Sequence, residues 1–186
     1  MAAMDYRIIR SRRKTMAIEI TSEAEVLVRV PMMMSDAAVG DFVDIRREWI
    51  EKHLDRIRKK AAQKAQVAKL TPEEKQAVID KAMKVIPEKV RFYAVRIGVT
   101  YGRITIRNQK TRWGSCSTNG NLNFNYLLAN MPEEILDYVV VHELCHRREM
   151  NHSQKFWAEV EKVLPDYRSA RKWLKDKGSL YLAQDS

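Results

Sequence analysis

The sequence predicts an α+β fold, with strands and helices grouped along the chain rather than alternating. Two periodicities and their order predict it. Apolar residues recur at every second position over 16–30 and again over 103–125. They recur at every third or fourth position over 42–57, 71–97 and 132–177. The order is therefore strands, helices, strands, helices.

Met16, Ile18 and Ile20, then Val26, Val28 and Val30, read as two strands around a turn at TSEAE, with Pro31 closing the second. Ser35 or Asp36 can cap a short helix. A longer one follows, carrying Phe42, Ile45, Trp49, Ile50, Leu54 and Ile57 and ending in RIRKKAAQKAQ. Thr71, Pro72 and Glu74 form a capping box with proline at the first helical position. That helix is expected to reach Ile97, with a kink or break at Pro87 and a stop at Gly98.

Residues 103–107 (RITIR) read as a strand. Residues 112–117 (RWGSCS) and 121–125 (NLNFN) flank Thr118-Asn119-Gly120, and Asn-Gly is a strong hairpin signal. Pro132-Glu133-Glu134 opens a helix with Ile135, Val139, Val140 and Leu144 inward, expected to end near Met150-Asn151. Another carries Phe156, Trp157, Val160 and Leu164 and stops before Pro165. The last covers about Tyr167 to Lys177 and stops at Gly178. With 186 residues the expectation is a single domain: N-terminal strands over 1–34, a helical segment over 35–98 and a metal-binding core over 99–180.

The composition is that of a globular protein, 45% hydrophobic and 31% charged. No apolar run is long enough to span a membrane, so no membrane partner is expected. The arginines near the N-terminus have no apolar run behind them, so a secretory signal is not expected. Two cysteines, Cys116 and Cys145, then read as free thiols in the cytoplasm. The formal charge is +10, which favours anionic partners. Between Glu88 and Glu133 there is no acid, while Lys89, Arg91, Arg96, Arg103, Arg107, Lys110 and Arg112 all fall there.

The chemistry lies in HELCHRREMNH, which holds His142, His146 and His152. Four residues advance a helix by roughly 400° and 6 Å, so His142 and His146 leave one face a turn apart. That spacing brings two imidazoles to one metal at about 2.0–2.1 Å. Glu143 sits beside the first ligand, where its carboxylate can act as general base without being a ligand. The third ligand must come from beyond the helix. His152 is the first choice, with Asn151 turning the chain and Ser153 capping the next helix; Glu159 or Glu161 is the alternative. Three protein ligands leave a fourth position open, as catalysis requires. One zinc ion per chain is expected, or another divalent metal, since imidazoles accept several.

The segment TRWGSCSTNGNLNFNYLLANMPEEILDYVVVHELCHRREMNHSQKFW resembles the YgjP-like metallopeptidase-domain family, a branch of the zincins related to the WLM and SprT-like groups. The likeness extends from the N-terminal strands to LPDYR. It implies a zincin-like fold, with a small antiparallel sheet packed on the active-site helix. It implies zinc at His142, His146 and His152, with Glu143 as catalytic base. The histidine spacing also equals that of metzincins, but Glu149 stands where those enzymes have glycine.

By similarity to zincins, residues 121–125 form an edge strand that pairs with extended peptide. Arg112, Asn123 and Asn125 are candidate substrate-binding residues, Arg112 for an oxyanion, a carboxylate or a phosphate. Tyr126, Tyr138 and Tyr167 are candidate proton donors. Cys145 and Cys116 read as small buried hydrophobes, His53 as a solvated or core histidine, and the Met32–Met34 run as packing. The leading function is a zinc metallopeptidase acting on peptide or unfolded protein. A nucleoside triphosphate pyrophosphohydrolase would keep the metal site and use the basic stretch as a phosphate clamp. A nucleic-acid-associated protein would use the basic surface.

Overall fold

The computed structural model describes residues 4–185. The chain divides into two compact units, Met1–Gln66 and Val67–Ser186. The division falls inside the helical segment read over 35–98.

The first unit holds β1 (Arg7–Ser11), β2 (Ala17–Ile20), β3 (Val26–Pro31), α1 (Asp36–Asp44) and α2 (Arg47–Ala65). The sheet order is β1-β3-β2, with β1 parallel and β2 antiparallel to β3. The sequence shows two of these strands. β1 escapes because Arg7 and Arg10 bracket only two apolar residues, so no alternation builds up. β3 is central and buries Val26, Leu27 and Val28 together, as a strand paired on both sides can. Ser35 caps α1, its hydroxyl accepting from the Ala38 amide at 3.3 Å. Val39, Val43, Ile50 and Leu54 close this core. Met32 and Met33 do not pack as expected: they are exposed at the turn after β3.

The second unit begins with α3 (Pro72–Ile97), followed by β4 (Ile104–Arg107), β5 (Gly114–Cys116) and β6 (Leu122–Asn125). A 3-10 helix (Tyr126–Asn130), α4 (Glu133–Cys145), α5 (Gln154–Val163) and α6 (Tyr167–Ala183) complete it. The capping box at Thr71 and Glu74 is present, and Gly98 ends α3 at φ 72°. Of the kink or break expected at Pro87, the break is absent: α3 runs through the proline to Ile97, its expected end. An interior proline costs about 3 kcal/mol. Here Val78, Ala82 and Ile86 before it and Val90, Tyr93 and Ile97 after it bury into one core, and that packing outweighs the local cost. The residue four back, Met83, is exposed, so water can replace the missing donor at its carbonyl.

The second sheet has the order β4-β6-β5. β4 is parallel to β6 and β5 antiparallel, so the sheet is mixed rather than antiparallel. This also corrects the edge-strand assignment. β6 (Leu122–Asn125), which falls in the expected 121–125 strand, is central, and the strand lying against α4 with a free edge is β5. The α+β class stands. α4 packs on α3, α5, α6, β5 and the 3-10 helix, so the helix that leads into the histidine cluster lies among five elements. Among the described residues, no helix is long and apolar enough to cross a membrane.

Candidate metal centre

α4 supplies the first histidine from its last turn and the second from its C-cap. The helix ends at Cys145 with His146 capping it, one turn before the expected Met150-Asn151. The amides of Arg147 and Arg148 bond three residues back, to Leu144 and Cys145, which tightens the chain out of the helix. Two arginines hold it there. Arg147 donates to the carbonyls of Thr100 and Thr118 at 3.0 and 2.9 Å. Arg148 donates to the Ile97 carbonyl and pairs with Glu159 at 2.7 Å. Ser153 then caps α5, its hydroxyl accepting from the Phe156 amide. Phe156 is fully buried, and burying such a ring contributes about 1.5–3 kcal/mol. Its ring lies 4.6–4.9 Å from those of His142, His146 and His152, as a floor beneath them.

The structure brings all three histidines together. One ligand nitrogen from each lies within 4.8 Å of the others, and His142 Nε2 and His152 Nε2 are 2.9 Å apart. Two nitrogens bound at 2.0–2.1 Å to one tetrahedral ion stand about 3.3 Å apart, so the triad is close to that size. His146 Nδ1 lies 3.1 Å from the Glu149 carbonyl, and donation there leaves its Nε2 lone pair free. Burial pulls the His142 pKa down to about 3, helped by His146, His152 and Arg171. Burial lowers His146 as well. Neutral imidazole is the metal-binding form, and His142 Nδ1 is buried without a hydrogen-bond partner. The donor set fits zinc.

Glu143 is 5% exposed and lies close to β5. Burial pushes its carboxyl up to about 8, with the Arg112 charge working against burial. Gly114 of β5 meets it: a Cβ built there would lie 2.7 Å from Glu143 Oε1 and Cγ. Gly114, Ser115 and Cys116 line a cleft of about 270 Å³ together with Glu143, Met150 and the three histidines. Residues 14–80 and 74–177 match the family described as YgjP-like, metallopeptidase domain.

The chain belongs to the YgjP-like metallopeptidase-domain family.

As a member of that family it is a metal-dependent hydrolase. Two solved structures are also similar. One is the metallopeptidase zymogen of Pyrococcus abyssi abylysin, 26% identical over 49% of this chain and 94% of that one, with a TM-score of 0.45. The other is the zymogen of Methanocaldococcus jannaschii jannalysin, 25% identical over 50% and 97%, also at 0.45. No curated protein matches the chain.

The remaining candidates separate. Glu159 is paired with Arg148 and Lys162, and Glu161 with Arg168, so both carboxylates are engaged elsewhere. Asn125 is fully buried; it donates to the Gln109 carbonyl and accepts from the Leu127 amide, holding the turn into the 3-10 helix rather than facing substrate. Asn123 is half-buried and donates to Ser115 across the β5–β6 pair. Arg112 is exposed near Glu143. Tyr126 is buried at the start of the 3-10 helix. Tyr138 lies 5.8 Å from His142, ring to ring, and Tyr167 stacks on Trp157 at 5.3 Å. Cys145 is fully buried, whereas Cys116 lines the cleft, its thiol pushed up by burial. His53 bonds the Trp49 carbonyl on α2, outside the site.

The residue reading of the family motif passed over Trp157, Met150 and Leu174. Trp157 stacks on His152 at 5.7 Å. Leu174 joins Trp113, Gly114, Tyr138, Val139, His142 and Glu143 around a second, smaller cavity of about 170 Å³. Gly178 is no helix stop but an interior residue of α6, where a Cβ would lie 3.1 Å from Trp113 Nε1.

Proposed function

We propose that the chain hydrolyses peptide bonds at the His142, His146 and His152 centre, with Glu143 as general base. The observation that carries this is the pairing of the triad with a buried carboxylate that is not one of its members, in one cleft. The three imidazoles would hold zinc, which lowers the pKa of a water molecule and polarises a carbonyl. Glu143 takes the proton of the attacking water at its carboxylate and passes it to the leaving amide nitrogen. Its carboxylate occupies the space that a side chain at Gly114 would need. β5 has a free edge beside the triad, and an extended peptide can add to it as a strand. Arg112 keeps the carboxylate from losing all its acidity on burial, a role for its charge that needs no contact with substrate. The two free thiols agree with a cytoplasmic protein.

The family match supports a peptide and gives no support to a nucleotide or nucleic-acid partner. The first residue of the acid-free basic stretch, Lys89, is paired with Glu133 and Asp137, which takes it out of any phosphate clamp. The deciding test is a parallel hydrolysis assay of zinc-loaded protein on a peptide pool and on nucleoside triphosphates, with Glu143→Gln as the blank. Peptide cleavage that disappears in the blank is the expected result. Pyrophosphate release that disappears in the blank would overturn it.

The packing at β5 gives a second expectation. Gly114→Ala should retain its zinc and lose on the order of 10²-fold in kcat, because the new Cβ must push Glu143 out of place. Zinc content by elemental analysis and turnover on the same peptide check both halves.

A further inference from the structure

Arg171 stands beside the triad. It lies on α6 with Cζ 4.3 Å from the centre of the Trp157 ring. That ring stacks on His152 at 5.7 Å and lies 5.8 Å from His142. Among the described residues, no carboxylate comes within ion-pair distance of Arg171, whereas Arg148 pairs with Glu159 and Arg168 with Glu161. Its guanidinium, held over the indole and otherwise exposed, keeps its N–H donors open to a ligand. The arrangement therefore holds a fork of donors beside the metal centre, which is the geometry that takes a carboxylate two bonds at a time.

The next turn of α6 adds a second feature. Leu174 is three residues on, so it leaves the same face as Arg171. It lines the 170 Å³ cavity next to His142 and Glu143, whose other walls include Trp113 and Tyr138. A cation and a mostly apolar cavity thus flank the same side of the triad.

We propose that Arg171 binds a carboxylate of the substrate, so that the site selects peptides with a carboxylate close to the scissile bond and an apolar side chain in the cavity of Trp113, Tyr138 and Leu174. The proposal rests on the peptidase reading of the triad. The carboxylate has two sources, the C-terminus of a peptide or the side chain of an Asp or Glu within it, and the test tells them apart.

Binding is measured by calorimetry on zinc-loaded Glu143→Gln protein, which separates affinity from turnover. Three peptides share one sequence: a C-terminal acid, a C-terminal amide, and an amide carrying an internal Glu. One carboxylate-bearing peptide is expected to bind roughly ten- to a hundredfold more tightly than the neutral amide, and which one it is names the source. Adding Arg171→Gln should shrink that preference to within about twofold, and Arg171→Lys should restore part of it. Equal affinity for all three peptides overturns the proposal. So does a preference that survives Arg171→Gln, because zinc or another cation would then be holding the carboxylate. Turnover by the wild-type chain separates this inference from the one beneath it. Arg171-dependent carboxylate binding with no peptide cleaved would refute the peptidase reading and leave the carboxylate site standing. Cleavage that ignores the carboxylate would do the reverse.

Discussion

Glu143→Gln is expected to keep a full complement of zinc and to lose roughly 10²–10⁴-fold in kcat, the usual contribution of a positioned general base. Glutamine fills the same space against Gly114, so the wall of the cleft is undisturbed. None of the three clustered nitrogens belongs to Glu143, so metal affinity has no reason to fall. Burial pushes the native carboxyl up to about 8, so the buried charged form is unfavourable and a neutral amide removes that cost. The variant should therefore melt no lower than the wild type. Elemental analysis and a peptide hydrolysis assay on one preparation check the split. Loss of zinc alongside activity would show Glu143 to be a ligand and would refute its role as base.

His152→Ala should lose the metal itself. Residues that merely support a ligand already cost about 10–100-fold in affinity when removed, so deleting one of three ligands should exceed a hundredfold. The local structure makes substitution by a neighbour hard. Glu159 would have to leave Arg148 and Lys162, and Glu161 would have to leave Arg168. His142 Nε2 also loses the partner that lies 2.9 Å away. Competition with a chromophoric chelator gives the affinity directly. Wild-type affinity in the variant would mean that one of those carboxylates had taken the place of His152.

The sequence carries much of this, and its failures have identifiable physical causes. Local chemistry with a short range is readable. The Thr71–Glu74 capping box, Gly98 in the left-handed conformation, the Asn119-Gly120 turn and the Ser153 cap all stand where the residue types put them. His142 and His146 share a face because a helix has one period. What escapes depends on partners distant in the chain. α4 stops at Cys145 although no glycine or proline marks the end; Arg147 and Arg148 bond carbonyls some thirty to fifty residues away, and no window of sequence shows that. α3 passes through Pro87 because a core formed elsewhere holds both halves. α6 passes through Gly178 because Trp113 needs the room. Strand order is of the same kind. RITIR, RWGSCS and NLNFN are each visible as strands, but only the fold puts the last of them in the middle. That is why a buried, structural Asn125 resembles a substrate contact when the chain is read alone.

The absence of a side chain at position 114 has a bearing on how this site can change over generations. Nineteen of the twenty amino acids bring a carbon to within 2.7 Å of the Glu143 side chain, so each of them displaces the acid. Mutation has no graded route through this position, since the smallest possible step is already the collision. Trp113 and Ser115, on either side, are under no such restriction from this contact. Change at the flanks of the cleft can therefore alter its choice of substrate, while a change at position 114 reaches the acid itself.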